Sequence, residues 1–238
     1  MKGGNWWEFY FVRYFIGSVF GAFILLAIFF HPDSGMKNVL TDSIVIKDVK
    51  LNDISSSILI GLLFFGTAFC YVASAPVLVA HALRYRFTDS WTIGGVTKRW
   101  IIIISLFSAL CYALWHALSP DLLRWILVIP ATFFVFIQLI MLSSCIKPAN
   151  RDIFGFYKKL AKDRAKKSAD RQEYIESYRH LREHGNAFLI LICESALGMA
   201  LFSCKSLNQF IIVLTIWLIP VMPIWLIATF LESRIKDV

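Results

Sequence analysis

The stretch Ile58–Leu83, ILIGLLFFGTAFCYVASAPVLVAHAL, decides the fold class: its 26 residues contain no Asp, Glu, Lys or Arg. A helix of that length extends about 39 Å, more than the ~30 Å hydrocarbon core of a bilayer. The Val, Ile and Phe content would favour a strand in water. In lipid, however, each backbone amide must be satisfied within the segment, and barrel strands need only about 9–11 residues of alternating polarity. Five further stretches of at least 18 residues are strongly apolar, each with at most one Asp, Glu, Lys or Arg: Phe9–Phe30, Trp100–Leu118, Leu123–Ile146, Ala187–Cys204 and Phe210–Leu231. Across the 238 residues, 58% are hydrophobic and 17% charged, against about 45–50% and about 25% in a soluble domain. This excludes a soluble enzyme with one packed core, a disordered chain and a disulfide-stapled one.

The expected architecture is all-α, a polytopic membrane bundle of six transmembrane helices with a basic cytoplasmic helical segment. Residues 1–146 should carry the first four helices, with an outward loop at 31–57. Residues 147–186 should form the cytoplasmic amphipathic segment, and 187–238 the last two helices and a short cytoplasmic tail. The first stretch is not read as a cleaved signal peptide. It holds Arg13 and is followed by His31-Pro32-Asp33 rather than by a small-residue cleavage site.

Orientation follows from the basic residues between the stretches. With the N-terminus inside, the inner face, chain ends and Arg13 included, holds nineteen Lys and Arg, eleven of them between Lys147 and Arg182, and the outer face holds five. Both termini are therefore expected in the cytoplasm. The net charge of +8 is then mostly this inner-face bias, with anionic lipid headgroups as its counterpart and no nucleic acid required. The five cysteines lie in or at the ends of the stretches with no C-x-x-C, and are expected to be free thiols.

Both long connections carry local patterns. Within 31–57, Ser43–Leu51 has the β-branched content of a short strand. Between Lys147 and Asn186, Ile153, Phe156, Tyr157 and Leu160 recur at helical spacing, and so do Tyr174, Ile175, Tyr178 and Leu181. Ser168-Ala-Asp-Arg-Gln-Glu173 between them resembles a capping signal. Two amphipathic helices, or one long helix with a break, are expected. Lys158, Lys159, Lys162, Arg164, Lys166 and Lys167 would contact lipid headgroups or a partner protein. No internal repeat or low-complexity tract is present.

Inside the stretches an ionisable residue costs roughly 2.5–3.5 kcal/mol and marks a functional candidate. Arg13 lies six residues past Trp7 and Glu194 seven past Ala187, so both sit about 9–11 Å along helices that rise from the same side. An intramembrane ion pair or gate between Arg13 and Glu194 is expected, with Glu8 as a competing partner. Arg13 shares a helical face with Gly17 and Gly21, a G-x-x-x-G that permits close helix packing and is expected to serve association between copies. Gln138, His116 and His81 are weaker polar candidates. Pro76, Pro130, Pro220 and Pro223 should bend their helices, and Pro220-Val-Met-Pro223 should make the last one irregular near its middle.

Reaction motifs are sparse. His180-Leu-Arg-Glu-His184 spells an inverted zinc-protease signature, but Arg179 and Arg182 crowd it with positive charge, so it reads as a chance match and His180 and His184 as a pH-sensitive pair. His116–Asp121 has the spacing of a membrane acyltransferase motif without a second motif to support it. No phosphate-binding loop or nucleophile elbow is present. An enzyme is not expected; neither catalytic residues, a metal nor a cofactor is assigned.

Glu8-Phe-Tyr-Phe-Val-Arg-Tyr-Phe-Ile-Gly17 and Tyr178-Arg-His-Leu-Arg-Glu-His-Gly-Asn-Ala-Phe188 resemble small membrane proteins of bacterial anti-phage defence operons. The resemblance covers about 20 residues and implies a multi-pass protein of the bacterial inner membrane that acts when a cytosolic sensor detects infection. The expected function is a non-enzymatic effector or channel-like protein. It would be homo-oligomeric in the lipid bilayer, and a cytosolic protein would trigger it through 150–184. A small-solute transporter and a membrane anchor for a cytosolic protein are the alternatives.

Overall fold

The computed structural model of the chain describes residues 6–37, 56–83, 122–143, 155 and 169–226. Every regular element among them is a helix: α1 (Trp6–Phe30), α2 (Ser56–Ala73), α3 (Ala75–Leu83), α4 (Leu122–Ser143), α5 (Ala169–Phe202) and α6 (Leu207–Leu218). The third apolar stretch at 100–118, the strand-like segment 43–51 and the basic run 158–167 lie outside the described residues. By length and composition Leu59–Leu83 can cross a membrane; Tyr14–Phe30, Ile126–Leu142, Asn186–Phe202 and Leu207–Leu218 are shorter apolar helices.

The helix α5 organises the rest. It packs against each of the other five helices, and Cys193, Glu194, Ala196, Leu197, Ala200 and Leu201 along it are all buried. The capping signal at Ser168–Glu173 falls where α5 begins, at Ala169. From there the helix runs unbroken for 34 residues to Phe202, about 50 Å. The polar sequence 169–185 and the apolar stretch that follows are thus one rod, with no interruption near Ala187.

Two proline sites interrupt the apolar helices, and each does so for a local reason. At Ser74 a turn separates α2 from α3. Pro76 has no N–H, so the Val72 carbonyl four residues earlier loses its ordinary helical donor. The indole Nε1 of Trp217 donates to it instead, at 3.0 Å, while the Ser74 hydroxyl donates to the Tyr71 carbonyl at 2.8 Å. Near Pro220 and Pro223, α6 stops at Leu218 and a turn covers 219–221 before helix resumes at 222–226. Pro130, by contrast, lies inside an uninterrupted α4.

The connections tie the ends together. Gly35, just after α1, sits so close to the α5–α6 turn that a Cβ there would stand 2.5 Å from the Cys204 carbonyl oxygen. The His31 ring meets Phe202 edge-on at 5.5 Å. Ser206 caps α6 by accepting from the Gln209 N–H at 3.3 Å. The Gln209 side-chain oxygen in turn accepts from the Lys205 N–H at 2.7 Å, a capping box reaching one residue further back than usual.

Cys70, Cys193 and Cys204 are buried thiols outside any disulfide. The outer surface is strongly apolar: Phe64 is 74% exposed and Phe188 69%, with Phe23, Ile60, Phe65 and Leu226 also open. Soluble monomers rarely leave so many large side chains uncovered together.

Candidate functional site

The site grows from the close packing of α1 on α2. Gly21 faces Gly66 across an antiparallel crossing: a Cβ on Gly21 would lie 2.8 Å from the Gly66 carbonyl oxygen, and one on Gly66 would run into the Ser18 carbonyl. Backbone therefore touches backbone, as residues without a side chain allow. Beside this contact the Ser18 hydroxyl donates to the Tyr14 carbonyl at 2.5 Å, and Thr67 Oγ1 lies 2.8 Å from Ser18 Oγ. The Tyr14 and Tyr71 rings stack at 5.3 Å. The Gly17–Gly21 stripe, expected from sequence to join copies of the chain, is thus filled by α2 of the same chain. A G-x-x-x-G announces that another backbone comes close, not which one.

One turn nearer the N-terminus of α1, three helices meet at Gly17. A Cβ there would overlap Cys70 Sγ from α2 and stand 3.1 Å from Glu194 Oε1 from α5. The missing side chain is what makes room for both groups. Glu194 is 0% exposed, and neither carboxyl oxygen has a hydrogen-bond partner of ordinary geometry among the described residues. The adjoining polar group is the Cys70 thiol, a weak donor.

The register of α1 on α5 runs parallel: Gly17 meets Glu194, Ile24 meets Gly198, and Gly35 meets Cys204 and Lys205. On this register the backbones of Arg13 and Glu194, expected at matching depth, are offset along the two helices. Gly17 is level with Glu194, and Arg13 lies four residues, about 6 Å, nearer the N-terminus; equal distances from the helix starts ignored the stagger between the rods. The Arg13 side chain lies outside the described residues, as do those of His180 and His184 on the N-terminal part of α5. Lys158, Lys159, Lys162, Arg164, Lys166 and Lys167 lie outside them altogether.

Two further polar groups mark α5 and its surroundings. His81 Nε2 on α3 lies 3.0 Å from Asn186 Oδ1, close to where the rod turns from polar to apolar sequence. Gln138 on α4 is 0% exposed with neither amide atom hydrogen-bonded among the described residues. The sequence identified Glu194 by its charge but gave Gln138 little weight and missed the Cys70 neighbour and the Trp217–Val72 bond. Pro76 was the signal for the last of these, because it announces an orphaned carbonyl at Val72.

No known protein family, curated protein or solved structure matches this chain.

Proposed function

We propose that the chain is a multi-pass protein of the bacterial inner membrane. In this reading it has six transmembrane helices and cytoplasmic termini, and acts without covalent chemistry as a channel-like effector. The observation that carries the reading is Glu194, fully buried with only the weak Cys70 thiol donor against its carboxyl group among the described residues, inside helices whose outward faces are Phe, Ile and Leu. An unpaired buried polar group costs more stability than a hydrophobic residue in its place, and inside a membrane protein such a group belongs to a path or a gate.

The unbroken α5 supports the same reading from another side. Glu194 lies 25 residues from Ala169 on one helix, about 38 Å, so a cytosolic protein that shifts the polar segment moves the carboxyl group with it. The basic residues at 158–167 and the segment up to residue 184 are the proposed receiving surface. The resemblance at Glu8–Gly17 and Tyr178–Phe188 implies infection as the trigger.

The test follows membrane potential and dye entry in bacteria expressing the wild-type protein or Glu194→Gln. Depolarisation by the wild type, lost in the variant at equal membrane abundance, is expected. Equal depolarisation by both would remove Glu194 from the path.

A further inference from the structure

The carboxyl group of Glu194 has a definite set of neighbours. Among the described side chains, the titratable groups on helices packed against α5 are Tyr14 of α1, Cys70 and Tyr71 of α2 and His81 of α3, with Cys193 on α5 itself; α4 and α6 contribute none. Tyr14 and Tyr71 are stacked on each other. His81 is bonded to Asn186, eight residues and about 12 Å from Glu194 along α5. Cys70 stands against the carboxyl group, on the far side of the space left by Gly17. The Ser18 hydroxyl donates to the Tyr14 carbonyl at 2.5 Å and the Ser195 hydroxyl to the Leu191 carbonyl at 2.9 Å, so neither proton is left for a carboxylate.

This neighbourhood selects its ligand by chemistry. A hard metal cation takes about six or more oxygen ligands, and the described residues supply one carboxyl group and a thiol. An ionised carboxylate left dry and unpaired is costly to bury, whereas its protonated form needs no cage. We propose that Glu194 is a buried proton-binding site, and that the species the bundle handles is the proton. The inference rests on Glu194 being the working centre of the bundle and names what that centre binds. A conducting path would pass the proton on and off one carboxyl oxygen, with no bond other than O–H made or broken.

Infrared spectroscopy of the full-length protein in an ester-free detergent tests this directly. The wild type should show the C=O stretch of a carboxylic acid that is lost in Glu194→Gln and moved in Glu194→Asp, so the assignment survives if the glutamine variant fails to fold. Raising the pH should deplete the band, with the acid-to-carboxylate ratio falling about tenfold per pH unit as for a single group. At mildly acid pH, a carboxylate band present in the wild type and missing from Glu194→Gln, with no matching acid band, overturns the proposal. So does an acid band that appears only in Arg13→Ala, which would make the guanidinium the neutralising group, or one that vanishes on adding sodium or potassium chloride at fixed pH. A carboxylate band together with depolarisation lost in Glu194→Gln sinks the proton and spares the gate. An acid band together with depolarisation unchanged in Glu194→Gln sinks the gate and spares the proton site.

Discussion

Replacing Trp217 by Phe removes the donor that completes the break in the second apolar stretch. Trp217 is 1% exposed, its ring lies 6.1 Å from that of Phe134, and its indole N–H reaches the Val72 carbonyl at 3.0 Å. The bond is part-buried, so leaving the carbonyl without a donor costs about 1 kcal/mol, the low end for such a group, and the smaller ring loses about 1 kcal/mol more in packing. The two contributions separate in a double-mutant cycle with Pro76→Ala. An alanine at this position brings back the peptide N–H that a helix aims at Val72, so the carbonyl keeps a donor when Trp217 is gone. Trp217→Phe should therefore cost about 1 kcal/mol less in the Pro76→Ala background than in the chain that retains Pro76. For a chain of this length that is a difference of about 2–4 °C in Tm, read by circular dichroism on the purified protein in detergent. Equal losses in the two backgrounds would mean that Trp217 acts by packing alone and that Pro76 leaves nothing for it to satisfy.

Glycine positions give a sharper contrast in the same melting assay. Gly66→Ala drives a methyl into the Ser18 carbonyl and to 2.8 Å from the Ala22 nitrogen; backbone cannot rotate away, so a loss of about 2–3 kcal/mol is expected. Gly61 has nothing within 4 Å of an added Cβ, so Gly61→Ala should raise stability by about 0.5–1 kcal/mol; comparable losses at both would refute the α1–α2 contact. Gly17→Ala should cost about 1–3 kcal/mol by pressing on Cys70 Sγ. Adding Cys70→Ala should recover part of that loss, and no recovery would place the clash elsewhere.

The sequence alone determined whatever depends on neighbours along the chain. Helical character follows from apolar length, as in Ile58–Leu83, and prolines that lack an N–H mark where a helix can break, at Ser74 and at 219–221, although Pro130 sits within an unbroken α4. Glu194 stood out because one charge in an apolar stretch is costly whatever surrounds it. Tertiary structure decided the partners. Gly17-Ser-Val-Phe-Gly21 offered a close approach, and only packing made α2 the helix that takes it and Cys70 the group that lies beside Glu194. The level of Arg13 depended on the stagger of α1 against α5, which distance from a helix start does not contain. The orphaned carbonyl at Val72 was implicit in Pro76, yet its donor lies 145 residues away. The reason is common to all three: the helices satisfy nearly all of their own backbone groups, and an apolar face suits more than one neighbour, so sequence-local energies say little about which helices meet. Shape at the small residues and the few groups left without partners make that choice.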